Sequence, residues 1–132
     1  MRILLLLLKL LLFLYSYFMF DFEKLDVYSI AKVFNIEIYR LLLKAKLNAA
    51  ARNQLRRASL SIALNIAEGS GRNSKPDKKN FMVIARGSVF ECVAILDILK
   101  DEQTISLEDF KHYYPLAEEL SKMLYSMIQK LS

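Results

Sequence analysis

The chain is poor in the residues that build common catalytic and metal sites. It has one cysteine, Cys92, one histidine, His112, and no tryptophan among 132 residues. A single cysteine excludes a disulfide within the chain and is typical of a reducing compartment, so we expect a cytoplasmic protein. One histidine and one cysteine cannot bind zinc without several suitably spaced carboxylates, which the sequence lacks. We therefore expect neither a metal nor a cofactor.

Catalytic residues are equally hard to find. Cys92 falls on the apolar side of a predicted helix, where a buried structural thiol is the default. His112 lies between Lys111 and Tyr113 on an amphipathic helix, which is typical of a residue at the solvent edge. The segment Gly69–Arg72 superficially suggests a phosphate-binding loop, but it follows a helix and lacks the Gly-Lys-Ser/Thr ending. The sequence therefore predicts a protein without enzymatic activity.

The first 20 residues are almost wholly apolar, with Arg2 and Lys9 as their only charges. Three interpretations are open: an upstream extension of the reading frame with Met19 as the true start, a membrane anchor, or a part of the fold. An anchor would be at the lower length limit for a spanning helix and would bury Lys9 at a cost of about 2.5–3.5 kcal/mol. We prefer the start at Met19 and divide the chain into an extension, 1–18, and one domain, 19–132.

The charge of the chain is only mildly basic. The formal net charge is +5 at pH 7, and Arg2 and Lys9 supply two of these charges, which leaves +3 for residues 19–132. A charge of this size permits contact with nucleic acid but does not require it.

Residues 25–132 carry the apolar periodicity of four helices and no strand-like alternation. The first predicted helix covers Leu25–Lys46, and the second covers Ala49–Glu68 with Asn48 as its cap. The third runs to about Lys100 with Pro76 in its first turn, and the fourth follows a Ser106 cap. Since short loops make neighbouring helices antiparallel, the sequence predicts an all-α, up-down-up-down four-helix bundle.

Two details of the helix ends are also predicted. Gly69 and Gly71 should end the second helix, with a glycine in the left-handed conformation. Pro115 interrupts the pattern of the fourth helix, so it should bend that helix or mark its true start.

The most informative stretch is Gln54–Arg72, QLRRASLSIALNIAEGSGR, in which small residues alternate with large apolar ones. A shorter echo, ARGSVFE, follows at Ala85–Glu91. Small residues let helices approach closely, and buried charges persist only when they are paired. We expect Arg57 or Arg86 to pair with a buried Glu91, with Asn65 bridging. The interpretation is a structural or interface network that fixes helix register, with a ligand pocket as the alternative, made of Arg57, Asn65, Glu68, Gly69, Arg86, Gly87 and Glu91.

Basic residues gather beside this network. Arg52 and Arg56 stand four apart and should share a helix face. The loop after the second helix and the first turn of the third hold Arg72, Lys75, Lys78 and Lys79, opposed by Asp77. Such a surface is either simply solvated or holds the phosphates of a nucleic acid, with affinity that falls steeply with salt. No base-reading motif is present, so contact would be to backbone and shape.

Two segments of the chain resemble those of the four-helix bundle proteins first described from intervening sequences in bacterial 23S ribosomal RNA genes. They are LRRASLSIALNIAEGSGR and FMVIARGSVFE. The resemblance extends over about Phe20 to Leu131. It implies an all-helical protomer, a ring-like homopentamer and no established enzymatic activity. A related branch of accessory proteins in diversity-generating retroelements implies a role with reverse transcriptase and RNA. Relatives also begin near Met19, which favours that start.

Two functions therefore stand as hypotheses. The first is a homo-oligomeric accessory protein that binds RNA, or an enzyme acting on nucleic acid, through the basic surface. The alternative is a protein-binding scaffold without a nucleic-acid role, tethered to a membrane if residues 1–18 are translated.

Overall fold

The structure is a computed structural model that describes residues 1–18 and 20–132, with the backbone alone for 16–18. Five α-helices follow one another, with a 3₁₀ turn at Asp21–Lys24 between the first two: α1 Arg2–Phe18, α2 Asp26–Lys44, α3 Ala49–Ser70, α4 Lys75–Asp101 and α5 Leu107–Lys130. These described residues contain no strand, so the all-α prediction is confirmed. The number of helices was predicted as four and is five, because the apolar extension is itself helical.

Side-chain caps set the starts of three helices. The Asn48 side chain accepts a hydrogen bond from the Ala51 amide at 2.8 Å, and Ser106 accepts one from the Asp109 amide at 2.9 Å. Ser74 does the same for Asp77 at the start of α4. Each contact satisfies one of the amides that the first turn of a helix leaves without a backbone partner.

Helices α2 to α5 enclose one core. α2 packs against α3 and α5, and α4 packs against the same two helices. The core is formed by large side chains with no exposed surface or almost none, among them Phe34, Ile38, Leu55, Ile62, Leu96 and Leu120. Because α2 and α4 each lie between α3 and α5, the surface formed by α2 and α3 is opposite the surface formed by α4 and α5.

The contact between α3 and α4 is close because small residues lie in it. A Cβ atom added to Gly69 would come within 2.7 Å of the Phe81 Cβ atom, so only glycine fits. Further along, the Ser61 and Ser88 hydroxyl groups are hydrogen-bonded at 2.9 Å. The small residues of the two sequence stretches therefore have a packing role at Gly69, Ser61 and Ser88.

The left-handed glycine predicted at the end of α3 is wrong, and of the two alternatives predicted for Pro115, the one that it starts the helix is wrong. Gly71, at the end of α3, has a φ of −85°, and no described glycine has a positive φ. Ordinary right-handed geometry suffices because the Gly71 amide bonds the Glu68 carbonyl at 3.2 Å. Pro115 is neither the start of a helix nor its end, since α5 continues through it. Pro115 is exposed, so water can reach the Lys111 carbonyl that lacks an amide partner.

α1 stands apart from the bundle. Residues 1–15 are all exposed, and α1 contacts none of the other described elements. In the described parts of the chain, no helix combines the length and the apolar character needed to cross a membrane. Met19, the preferred start, lies outside the described residues.

Candidate nucleic-acid interface

The six basic residues predicted to contact nucleic acid fall into two separate groups. Arg52 and Arg56 are near the start of α3, whereas Arg72, Lys75, Lys78 and Lys79 surround its far end and the start of α4. From Arg52 to Ser70, α3 extends about 27 Å. The two groups therefore belong to different surfaces.

The second group lies at one end of the bundle, around the α3–α4 turn. Arg72 pairs with Glu68 at 2.7 Å, and its guanidinium group lies 4.7 Å from the centre of the Phe81 ring. Lys78 donates a hydrogen bond to the Ser70 carbonyl at 3.2 Å. Lys75 and Lys79 stand four residues apart on α4 and form no salt bridge with any described residue. Their two ammonium groups are available to phosphates.

The fold adds a cation that sequence reasoning missed. Lys130, in the last turn of α5, flanks the same surface depression as Lys78. Asp21 and Ser70 also line this depression, whose volume is about 320 Å³. The only signal in the sequence was a lysine near the end of the last predicted helix. We call Arg72, Lys75, Lys78, Lys79 and Lys130 the basic end.

The first group is turned toward the bundle instead of outward. Arg52 donates hydrogen bonds to the Leu42 carbonyl and, at 3.1 Å, to the Ala45 carbonyl. Arg56 donates to the Asn35 side chain at 3.1 Å, and its guanidinium group lies 5.0 Å from the centre of the Tyr39 ring. Because the last carbonyls of a helix lack amide partners, Arg52 acts as a cap for α2. Both residues join α2 to α3.

Replacing Arg52 with alanine is expected to lower the free energy of unfolding by about 2 kcal/mol, since hydrogen bonds from a charged group contribute about 1.5–3 kcal/mol. Urea unfolding measures the loss. Asn53→Ala is the control, because Asn53 is exposed next to Arg52. Equal stability of the two variants would contradict the capping role.

The predicted network is connected differently from the expectation. Glu91 is half-buried and accepts a hydrogen bond from the Gln54 side chain, not from an arginine. Arg57 is exposed at the depression that Gln54 and Glu91 line. Asn65 donates to the Ser61 carbonyl at 2.8 Å and to its hydroxyl at 2.9 Å. The pairing of Glu91 with Arg57 or Arg86 was wrong, because Glu91 keeps access to water and a neutral amide suffices.

Arg86 and Gly87 lie away from the α3–α4 contact. Arg86 donates to the Ser121 carbonyl of α5 at 3.3 Å, and its guanidinium group lies 4.7 Å from the centre of the Phe90 ring. A Cβ atom added to Gly87 would meet nothing within 4 Å. Gly87 therefore clears no space inside the protomer, and Glu68 pairs at the surface with Arg72. Of the predicted network, Gly69 and Glu91 lie in the α3–α4 contact, whereas Asn65 bonds Ser61 of its own helix.

A groove follows the outer side of α4 and α5. Its volume is about 540 Å³, and its walls are mainly apolar, with Phe90, Val93, Phe110 and Tyr114 among them. Phe90 is 56% exposed. Asp97, Glu118 and Lys122 are its charged residues.

Three further titratable side chains, those of Cys92, Asp109 and His112, lie outside the basic end. Burial, reinforced by the charge of Glu91, raises the pKa of the Cys92 thiol to about 12, so it stays protonated at neutral pH. The Lys44 ammonium group, 2.7 Å from the Asp109 carboxylate, holds the pKa of Asp109 below its ordinary value. His112 is exposed, 3.3 Å from Glu37. The described residues contain no cluster of three metal-ligating side chains.

Comparison with known proteins agrees with the helical fold. A crystal structure of a protein of unknown function from the S23 ribosomal protein family, from Bacteroides thetaiotaomicron, superimposes with a TM-score of 0.73 at 25% identity. The match covers 77% of this chain and 97% of that one. No curated protein matches the sequence significantly.

The family comparison covers the bundle and leaves α1 out. The sequence model of the 23S rRNA-intervening sequence protein family matches residues 23–126, which include the paired stretches at Gln54–Arg72 and Ala85–Glu91. This chain therefore belongs to the 23S rRNA-intervening sequence protein family.

Proposed function

We propose that this chain is a non-enzymatic, homo-oligomeric helical bundle of the cytoplasm that associates with RNA through its basic end. The observation that carries the proposal is the convergence of five cations from the α3–α4 turn, α4 and α5 at one end of the bundle. Two of them, Lys75 and Lys79, form no salt bridge with a described carboxylate. Ammonium groups of this kind bind phosphates as point charges.

The chemistry of the basic end favours the RNA backbone over the bases. Lysines dominate it, and the Arg72 guanidinium group covers the Phe81 ring. Base-specific binding to single strands requires uncovered aromatic platforms or side chains placed for base edges. We therefore expect binding that tolerates changes of sequence and weakens strongly as salt rises.

Fluorescence anisotropy with a labelled RNA hairpin tests the proposal on the full chain, kept in a nonionic detergent. We expect binding at about 50 mM salt that is largely lost at about 200 mM. In the triple variant Lys75→Ala, Lys78→Ala and Lys79→Ala, the slope of log affinity against log salt should fall by about 1 for each lysine removed.

A matched control separates a local surface from net charge. Replacing Lys32, Lys111 and Lys122 with alanine removes the same charge from exposed positions of α2 and α5. This variant should retain the salt slope of the parent protein. An equal decrease of the salt slope in the two triple variants, or no binding by the parent protein at about 50 mM salt, would reject the basic end as the RNA site.

We further propose that the four bundle helices run antiparallel and that protomers assemble head to tail into a ring. Two observations support antiparallel neighbours: Lys44 near the end of α2 pairs with Asp109 near the start of α5, and Gly69 near the end of α3 contacts Phe81 near the start of α4. Ring assembly needs two different faces on one protomer that fit each other.

Such faces lie on opposite sides of the bundle. On α4 and α5 one exposed apolar set is present, of which Phe90 and Tyr114 line the groove: Val83, Phe90, Ile98, Tyr114 and Tyr125. On α2 and α3 a second exposed apolar set is present: Ile36, Tyr39, Leu43, Leu60 and Leu64. The charges of both faces are paired within the protomer: Glu118 with Lys122 at 3.0 Å on the first, and Arg40 with Glu37 at 2.9 Å on the second. The exposed apolar side chains therefore supply the complementarity between the two faces.

Gly87 gives the assembly proposal its test. A Cβ atom at this exposed position meets nothing within 4 Å, and leucine has the better helix propensity, so the free energy of unfolding of the isolated bundle should rise by about 1 kcal/mol. In an assembly that covers α4, the same side chain should force subunits apart. Native mass spectrometry from a nonionic detergent counts the subunits directly. We expect a pentamer for the parent and mainly monomer for Gly87→Leu.

The control for this test is Ser126→Leu, which adds an exposed leucine to α5. Ser126 lines neither the groove nor the neighbouring depression that Gly87 lines. This variant should stay pentameric. A monomeric parent protein, or a pentameric Gly87→Leu variant, would reject the assembly through the α4–α5 face.

The scaffold function remains the second candidate, because the apolar α4–α5 groove is large enough to hold side chains of a partner helix. It predicts that loss of the Lys75, Lys78 and Lys79 charges leaves function in the cell unchanged. Loss of function in that triple variant alone would favour RNA.

A further inference from the structure

α1 is an apolar helix without a partner in the bundle. Among residues 1–15, only Arg2 and Lys9 are charged, and each of the 15 is exposed. α1 contacts none of the other described elements, and it lies outside the residues that match the family. An apolar helix that remains uncovered in water is unfavourable, so another apolar phase must cover it.

The two charges of α1 share one side of the helix. Arg2 and Lys9 are seven residues apart, which places them within about 20° of the same line and about 10 Å apart along the axis. The other residues from Ile3 to Tyr15 are all apolar, and no acidic residue precedes Asp21. α1 therefore has a narrow cationic line on an otherwise apolar cylinder.

We propose that α1, wherever it is translated, lies in the plane of a bilayer that contains anionic lipids. Arg2 and Lys9 then contact the headgroups, and the leucine side chains enter the boundary of the acyl chains. A protein groove such as that on α4 and α5 would cover only one side of α1, whereas lipid covers every side except the cationic line.

The length of α1 and the position of Lys9 favour a helix in the plane over a spanning one. Seventeen residues extend about 25 Å, which is less than the hydrocarbon thickness of about 30 Å. A spanning orientation would also place Lys9 among acyl chains, far from either headgroup layer. In the plane, both cations reach the headgroups at once.

Flotation of the full chain tests the proposal. The chain is synthesised in a cell-free system with vesicles of phosphatidylcholine alone, or with one quarter phosphatidylglycerol. We expect it to float with the anionic vesicles. Since each cation near an anionic surface raises binding about fivefold, Lys9→Glu should lower partition into these vesicles about 20-fold. Lys122→Glu, with the same charge change on α5, should leave partition unchanged.

The orientation is measured separately. The chain has no tryptophan, so Leu5→Trp and Leu12→Trp each introduce a single fluorescent probe. Quenching by brominated lipids should place both probes at the same shallow depth, whereas a spanning helix, centred near Leu10, would place both within about 8 Å of the bilayer centre. Failure of the parent chain to float with the anionic vesicles, equal flotation of Lys9→Glu, or probes near the bilayer centre would overturn the proposal. These outcomes are independent of RNA binding.

Discussion

Leucine in place of Gly69 is expected to lower the free energy of unfolding of the bundle by about 3 kcal/mol. Even the first added atom would lie 2.7 Å from the Phe81 Cβ atom and 2.9 Å from the end of the Met82 side chain. Met82 can rotate away, but the Phe81 Cβ atom is fixed to the backbone of α4. The two helices must therefore separate, and overpacking of this kind costs about 1–3 kcal/mol or more. Urea unfolding followed by circular dichroism measures the loss.

Gly71 provides the matched control, two residues along the chain. A Cβ atom there would meet only the Glu68 carbonyl oxygen, at 3.6 Å, an ordinary contact. Gly71→Leu should therefore change the free energy of unfolding by less than about 1 kcal/mol. Similar losses at the two positions would show that the cost comes from the end of α3 itself, not from its approach to α4.

Alanine in place of Leu55 is expected to lower the free energy of unfolding by about 3 kcal/mol. The Leu55 side chain has no exposed surface, and leucine-to-alanine changes in closed cores cost about 2–5 kcal/mol through lost transfer energy and a residual cavity. Urea unfolding again gives the value.

Leu64→Ala is the control, since it makes the same chemical change on the same helix. Leu64 is 55% exposed, so its truncation should cost less than about 1 kcal/mol in the isolated bundle. Any larger loss should depend on protein concentration, because it would come from subunit assembly. A large loss that does not vary with concentration would contradict the outward position of Leu64.

Most of the bundle was predictable because its signals are local. Apolar periodicity gave the positions of α2 to α5, and Asn48 and Ser106 marked two helix starts that the structure confirms. A cap depends on a side chain and an amide three residues later, so the sequence contains the whole interaction. α5 continues through Pro115 because an exposed proline removes only one backbone hydrogen bond from a helix that packing otherwise holds.

The candidate site was less predictable because it depends on which side of each helix faces a neighbour. Arg52 and Arg56 share a helix face, as expected, but that face meets α2 instead of a ligand. Lys130 lines the same depression as Lys78, although more than fifty residues separate the two in the sequence. Neither arrangement has a local signal, because both arise from the packing of helices that are distant in the chain.

The sequence by itself determined the helical class, the ends of most helices and the scarcity of catalytic residues, since each follows from residue types and their spacing along one helix. The family followed from the resemblance of two segments to known proteins. Only the tertiary structure decided that Glu91 bonds Gln54, that Gly69 is required for the approach of α4, and that Gly87 faces outward. These outcomes depend on the rotation and separation of packed helices. Rotation of a helix by one face would exchange its buried and exposed side chains, although the apolar periodicity of its sequence would be the same.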